Sequence, residues 1–400
     1  MKTLYLHIGT PKTATTAIQV FCAGNQQVLN SYGYIYPDFG IRYAHVGRHR
    51  NAHFLVGNVR RRIKEREFEK EDQVIDECFS KIYELFQQYD NIILSDESLW
   101  LDEFRCQGRL WSRIKKEIEK DIFTVKIIVY LRRQDEFIYS RWNQQIKAAV
   151  GLTSRNYLYN WEEMLEKFSY SKIDYYGMLE NIANHVGKKN IIVRLFDRKK
   201  FYGGTIYADF LNAVGLAYSD EYMIVQETPN VSLTKNNVEI KRIINGLPDL
   251  NEFSNDIFRV CLTKCSELPS DDKKYNMFSK QEMQELLSKC EEGNNKIVEE
   301  YLNGEGKLFD DTYKAEEKWT PDNPGMMTDV IRFTGSLAIY LLKENEEIKD
   351  QIAEIKDQLK EYGPVTKSQE NDTGFLKNKI KPPLNKVRKK VKKVLTKNKA

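Results

Sequence analysis

A short segment near the start of the chain combines residue types that bind anions. It reads Gly9-Thr10-Pro11-Lys12-Thr13-Ala14-Thr15-Thr16 and follows residues 3–8, an apolar stretch that predicts a buried strand. A helical pattern begins at Thr15, so the segment predicts a turn between a strand and a helix. The helix start presents backbone N–H groups, Lys12 adds a full positive charge, and the threonines add hydroxyl donors. The segment therefore predicts a site for phosphate or a similar anion.

The same segment differs from the Walker A loop of P-loop kinases. That loop reads G-x-x-x-x-G-K-[ST], with its lysine directly before the residue that starts the helix. Here the segment holds one glycine, Gly9, and Lys12 comes earlier relative to the helix. A small-molecule or sugar kinase using ATP and Mg²⁺ is therefore the less favoured enzyme. A plain strand-to-helix connection with a threonine cap is the alternative without a function.

Arg132 and Ser140 form a second candidate phosphate site. Arg132 directly follows residues 125–131, which predict a buried strand, and ligands of open parallel sheets bind at such strand ends. Ser140 comes about two helical turns later, so both side chains can face one phosphate. An arginine suits that role because its guanidinium donates two parallel hydrogen bonds. Arg133 in the same role, or a surface ion pair between Arg132 and a nearby acidic residue, are the alternatives.

In this order, the two segments resemble sulfotransferases that use 3′-phosphoadenosine 5′-phosphosulfate (PAPS). HIGTPKTATTAIQ is similar to their 5′-phosphosulfate loop, G-x-x-K-[ST]-G-[ST]-[ST], but has Ala14 where the family usually has glycine. VYLRRQDEFIYSRWNQ resembles the 3′-phosphate signature of the bacterial carbohydrate-type branch, and weaker similarity continues to about residue 250. The resemblance implies these cofactor-binding residues: Gly9, Thr10, Pro11, Lys12, Thr13, Ala14, Thr15, Thr16, Arg132 and Ser140. If position 14 needs a positive φ, alanine is strained there; if it is helical, alanine is harmless.

The resemblance also implies an activity. It is direct in-line transfer of a sulfuryl group from PAPS to a hydroxyl, or less favourably an amine, of a carbohydrate or glycoconjugate, without a metal. Adenosine 3′,5′-bisphosphate is the second product. The rival of another class is a membrane-associated coiled-coil scaffold without catalysis, for which Ala14 is the only support.

Transfer to a hydroxyl needs a base beside the acceptor and positive charge on the bridging oxygen of the donor. Lys12 suits the second task. Glu97, just past the predicted strand 91–95, is the favoured base, and Asp96 is its nearest competitor. Carbohydrate-acting branches of the family use a glutamate base, whereas the cytosolic branch carries a histidine at the end of a comparable strand. The alternative for Glu97 is an acid that stabilises a helix start.

A histidine cluster precedes this strand. His45, His49 and His53 are spaced by four and lie among arginines, which predicts an acceptor-binding loop suited to an anionic sugar, with His53 near the reaction centre. Gly47 and the lack of carboxylates in that stretch argue against a metal site. Histidines on an ordinary surface are the alternative.

The segments around these motifs predict an α/β fold. Short apolar strands at 3–8, 91–95, 125–131 and 190–195 alternate with helical patterns. This is typical of a parallel, P-loop-like sheet covered by helices on both faces. We assign residues 1–335 to this sulfotransferase-like domain.

The remainder of the chain has a different character. Residues 336–362 predict a helical or coiled-coil segment, because Leu341, Ile348, Ile355 and Tyr362 are seven apart and Asn345 lies on the second seam. A homodimer through residues 341–362 is one expectation, and a single amphipathic helix on the domain is the other. Residues 363–374 predict a linker, and residues 375–400 a basic amphipathic tail that binds an anionic membrane surface or stays solvated.

Charge and composition exclude several protein classes. The 400 residues have a net charge of +4, yet residues 373–400 alone carry eleven Lys or Arg and no acid, which leaves −7 for residues 1–372. A general nucleic-acid-binding surface is therefore not expected. No apolar run approaches 18 residues, and the six cysteines show no C-x-x-C spacing. We expect free thiols and a cytoplasmic protein, with the inner face of the membrane as a peripheral location.

Overall fold

The computed structural model describes residues 2–44, 46–57, 65–101, 109–149, 158–224 and 232–361. Its main feature is a parallel sheet with the strand order β2-β3-β1-β4-β5. The strands are β1 Thr3–His7, β2 Tyr34–Ile35, β3 Asn91–Ser95, β4 Thr124–Leu131 and β5 Ile191–Leu195. The predicted α/β class with helices flanking a parallel sheet is confirmed.

Helices of very different lengths accompany the sheet. In the described part of the chain they are α1 Thr15–Gly24, α2 Gln26–Ser31, α3 Phe68–Leu85, α4 Arg109–Ile118, α5 Gln134–Ala148, α6 Trp161–Glu166, α7 Tyr175–Val186, α8 Ile206–Ala213, α9 Lys235–Ile244, α10 Glu252–Glu267, α11 Lys280–Tyr301 and α12 Met326–Glu361. A separate two-stranded parallel ladder pairs β6 Tyr275–Asn276 with β7 Glu317–Lys318.

The sheet is buried on both faces because successive strand residues point to opposite sides. In β4, Ile127 and Val129 join a core formed with α3, α4, α7 and α11. Ile128 and Tyr130 join the opposite core, which α1, α2 and α8 cover. Continuous apolar strands without alternation are what such two-sided burial requires.

Four of the five strands of this sheet match predicted strands to within one residue at each end. The fifth, β2, has only two residues, which is too short to show a periodic pattern. It pairs with β3 at the edge of the sheet.

The strand order brings the candidate residues to one edge. β1 lies between β3 and β4 and is parallel to both, with His7 level with Ser95 on one side and Ile128 on the other. The turns that follow these three strands therefore emerge together, at the carboxyl edge where open α/β sheets bind ligands.

The chain forms two compact units, residues 1–333 and 334–400. The described part of the second unit is the portion of α12 from Thr334 onward. Tyr362, the predicted linker at 363–374 and the predicted basic tail at 375–400 lie outside the described residues. Among those that are described, no helix is long and apolar enough to cross a membrane.

Candidate active site

The turn after β1 is built from left-handed backbone. Gly9 has φ +39°, Lys12 +75° and Ala14 +58°. A Cβ at position 9 would lie 3.2 Å from the Thr15 methyl group and 3.3 Å from the Thr13 hydroxyl. Glycine is therefore favoured at position 9, because its φ is positive and because an added Cβ would crowd both threonines.

Ala14 occupies the position before α1 with φ +58° and ψ +26°. An L-residue with a Cβ is disfavoured in this conformation by about 1–2 kcal/mol. Of the two possibilities that the sequence left for Ala14, the structure thus has the strained one. Alanine also cannot cap a helix, and α1 has no side-chain cap. The threonine cap of the alternative without a function is therefore absent from α1, and the first N–H groups of this helix receive no side-chain acceptor from that position.

Two threonines of the turn use their hydroxyls inside the protein. Thr10 donates to the carbonyl oxygen of Tyr130 at 2.9 Å, and Thr13 donates to the carbonyl oxygen of Thr10 at 2.6 Å. Both side chains are fully buried. The Thr10 bond holds the turn against β4 and the Thr13 bond lies within the turn, which differs from the expectation that the Thr13 hydroxyl is offered to an anion.

Lys12 lies among other positive charges. Its ammonium donates to Oε1 of Gln144 on α5 at 3.1 Å. Burial lowers its pKa, and the nearby charges of Arg132 and Arg141 lower it further. The carboxylate of Glu97 acts in the opposite direction. Such a group of cations favours a bound anion, which would reduce their mutual repulsion.

Arg132 connects its own strand end to the turn. Its Nη1 donates to the carbonyl oxygen of Lys12 at 3.3 Å, and its Nε donates to Glu136 at 3.2 Å. Its guanidinium also lies 5.6 Å from the ring centroid of Phe196. The ion pair with Glu136 that the sequence allowed is present, and it coexists with the contact to the turn.

Arg133 is engaged differently. It forms a two-bond pair with the buried carboxylate of Asp135, at 2.7 and 2.9 Å. It also donates to the backbone carbonyl oxygens of Asp310 and Thr312. These contacts favour Arg132 over Arg133 as the ligand-directed arginine.

One cavity of about 1400 Å³ collects most of the candidate residues. Those predicted from the sequence that line it are Pro11, Lys12, Ala14, Thr15, Thr16, His53, Glu97, Arg132 and Ser140. Gly9, Thr10 and Thr13 are not in its lining. Three strand ends thus contribute to the same cavity, although the roles of these residues stay predictions.

Asp96 is a buried anchor rather than a lining residue. Its side chain is fully buried and accepts bonds from Arg50 Nε at 2.9 Å, His53 Nδ1 at 2.7 Å and the backbone N–H of Ser98 at 2.6 Å. Burial raises its pKa, but the charge of Arg50 and the bond from His53 outweigh burial and hold the pKa below its usual value. Asp96 is therefore a buried anion that orients its neighbours, and of the two carboxylates Glu97 is the one that lines the cavity.

Glu97 lines the cavity and is held at both oxygens. Arg50 Nη1 lies 3.0 Å from Oε1, and Gln19 Nε2 donates to Oε2 at 3.3 Å. Gln19 also donates to the Ser95 hydroxyl, which contacts Nδ1 of buried His7. Burial lowers the pKa of His7 to about 3, so the ring is neutral. This network fixes the Glu97 carboxylate.

The structure describes two of the three histidines of the cluster, His49 and His53. His53 is 3% exposed, lies in a short 3₁₀ turn, His53–Leu55, and lines the cavity with its Nδ1 on Asp96. It is therefore no surface histidine. His49 accepts from Arg48 at 2.9 Å, and His45 lies outside the described residues.

Two arginines of this loop form ion pairs within the protein and are therefore less available to an anionic ligand than expected. Arg42 forms an exposed pair with Asp38. Arg50 is neutralised by Asp96 and Glu97. The expectation of a cationic lip for an anionic sugar thus finds no support in these two arginines.

Sequence reasoning missed three contributors to the site. Gln19 is a buried polar residue on the apolar face of α1, and Gln144 follows Ser140 by one helical turn. The helical spacing in the sequence could have indicated both residues. The third is Arg198-Lys199-Lys200, an exposed run two residues after β5 that also lines the cavity.

Comparisons with known proteins add little to this geometry. The chain matches no protein-family model. It is 31% identical over 181 residues to an uncharacterized protein of Archaeoglobus fulgidus, a match over 44% of this chain and 46% of that protein. The chain thus spans less than half the length of this relative. A crystal structure of a sulfotransferase from Alicyclobacillus acidocaldarius matches 57% of this chain and 87% of its own, with 12% identity and a TM-score of 0.32. A likeness of this degree assigns no activity.

Proposed function

We propose that this protein transfers a sulfuryl group from PAPS to a hydroxyl of a carbohydrate or glycoconjugate. The supporting observation is that Lys12, from the turn after β1, and Arg132 with Ser140, from the segment after β4, line one cavity. A ligand that contacts each set with its own anionic group carries these groups at two separated positions. PAPS has this property, with a phosphosulfate at one end and a 3′-phosphate near the other.

The cluster of cations fits such a donor. Lys12 and the uncapped start of α1 would hold the phosphosulfate, and Arg132 and Ser140 the 3′-phosphate. Burial is the main cause of the lowered pKa of Lys12, and the charges of Arg132 and Arg141 that add to it favour an anion between these groups. PAPS supplies an activated sulfuryl group whose leaving group is a phosphate.

The residues of the chain then have separate tasks. Lys12 stabilises negative charge on the bridging oxygen as the sulfur–oxygen bond to the phosphate breaks. Glu97 accepts the proton of the acceptor hydroxyl as its oxygen bonds to sulfur. Arg50 and Gln19 hold the Glu97 carboxylate in one orientation. The products are a sulfate ester and adenosine 3′,5′-bisphosphate.

His53 is the alternative base. Asp96 holds its Nδ1, which leaves Nε2 as the other nitrogen of a ring that lines the cavity. Glu97 is favoured because its charge acts on the Lys12 ammonium, the group assigned to the departing phosphate. His53, whose ring is held by Asp96, then shapes the acceptor side of the cavity.

The strained Ala14 favours a second candidate, a donor-binding scaffold without catalysis. Transfer of radiolabelled sulfate from PAPS to a panel of glycans, with Lys12→Ala as the matched control, separates the two. Turnover that Lys12→Ala abolishes supports the sulfotransferase. Binding of the bisphosphate without turnover on any glycan supports the scaffold. Tight binding of ATP–Mg²⁺ and none of the bisphosphate, measured by calorimetry, refutes both and favours a kinase.

A further inference from the structure

The part of α12 in the second unit carries a seven-residue repeat. Two rows of residues run along one side of the helix: Leu341, Ile348 and Ile355 form one row, and Ala338, Asn345 and Ile352 form the other. In the heptad abcdefg these are the d and a positions of a coiled coil. The helix is continuous through all of them.

The seam formed by these two rows contains exposed apolar side chains. Leu341 is 51% exposed, Ile348 52% and Ile352 46%. Helices in water draw most of their stability from burying an apolar face, so this stretch requires a partner surface. We propose that residues 338–357 form a parallel coiled coil with the same stretch of a second copy of this chain.

Asn345 favours a second copy as the partner. It occupies an a position between apolar residues at the d positions on either side. A buried amide is stabilised only by a hydrogen-bonding partner at the same level. In a parallel dimer in register, the Asn345 of the second copy lies at that level, and such a pair specifies a two-stranded register at some cost in stability.

Charge complementarity favours the parallel orientation. Glu344 is at a g position and Lys349 at the following e position. In a parallel dimer each g residue faces the e residue five positions later in the partner, so Glu344 meets Lys349 twice by symmetry. In an antiparallel dimer e residues face e residues, which brings Lys349 and Lys356 of both chains to one side.

Sedimentation equilibrium of the full-length chain tests the dimer. We expect a dimer for the native chain and a monomer for Ile348→Asp, which puts a charge on the seam. Ile339→Asp is the matched control, because Ile339 is similarly exposed, at 57%, but occupies a b position away from the seam. It should remain dimeric. A monomeric native chain, a larger oligomer, or equal effects of the two aspartates would overturn the proposal.

A charge exchange tests the orientation. Glu344→Lys and Lys349→Glu should each weaken the homodimer roughly tenfold, because two attractions become repulsions. Mixed together, the two variants should form a heterodimer of native affinity, since each chain then faces an opposite charge. Glu347→Lys makes the same change of charge at a c position and should leave the dimer unchanged. Failure of the two variants to pair would reject the parallel arrangement.

Discussion

The guanidinium of Arg132 donates a hydrogen bond to the backbone carbonyl oxygen of Lys12, with 3.3 Å between Nη1 and the oxygen. This bond joins the turn after β1 to the strand end of β4, two segments 120 residues apart in sequence. The two candidate anion-binding motifs are therefore mechanically coupled. A substitution that is intended to probe one of them also acts on the other, and its test must separate the two effects.

Binding of two nucleotides separates these effects for Arg132→Ala. If Arg132 binds the 3′-phosphate, the affinity for adenosine 3′,5′-bisphosphate should fall about 10- to 100-fold, the value of a hydrogen bond to a charged group. The affinity for adenosine 5′-monophosphate, which lacks that phosphate, should change little. Calorimetric titrations of both nucleotides give the comparison, with Arg42→Ala, an arginine in an exposed ion pair, as the control. Equal losses for both nucleotides would mean that Arg132 only supports the turn.

Ala14→Gly should stabilise the protein by about 1 kcal/mol, because glycine adopts φ +58° without the clash of a Cβ. Ala17→Gly is the matched control. It lies inside α1, where glycine should destabilise by a similar amount. Urea denaturation of both variants measures the free energy of unfolding. The same sign for the two changes would show that the strain at position 14 is not energetically significant.

The sequence predicted the parts of the fold that depend on local patterns, and it failed where contacts join distant residues. Four strands were found because both of their faces are apolar, and Gly9 and Lys12 because a turn after a strand has a recognisable composition. The role of Asp96 could not be predicted. Its bonds to Arg50 and His53 span more than 40 residues, and no periodicity encodes them. The conformation of Ala14 was equally hidden, since alanine is ordinary in a helix and strained only in this turn.

Glu97→Gln and His53→Gln should separate the two candidate bases. If Glu97 takes the proton, Glu97→Gln lowers kcat about 10²- to 10⁴-fold, the usual contribution of a general base, while the affinity for the bisphosphate stays within a few-fold. His53→Gln should then change mainly the KM for the acceptor. Rates on the best glycan acceptor, measured over a range of pH, give both constants. The reverse pattern, with a lost kcat only in His53→Gln, would assign the base to the histidine.

Asp96→Asn should destabilise the protein by about 1.5–3 kcal/mol at pH 7, because it removes the buried carboxylate charge from Arg50 and leaves Glu97 as the remaining counter-charge. The pKa of Asp96 is lower in the folded protein than in the unfolded chain. Its contribution is therefore complete above the unfolded pKa of about 3.9, and it is lost as the pH falls towards the folded value.

As the pH falls from about 4.5 to about 3, the free energy of unfolding of the native protein should accordingly decrease more steeply than that of Asp96→Asn. The difference between the two slopes should reach up to about 1.4 kcal/mol per pH unit near the lower end. Urea denaturation across this range provides the slopes. Asp38→Asn is the control, because Asp38 forms an exposed ion pair with Arg42 and such pairs contribute about 0–1 kcal/mol. Parallel slopes for the native protein and Asp96→Asn would show that Arg50 and His53 do not lower the pKa of Asp96 in the folded protein.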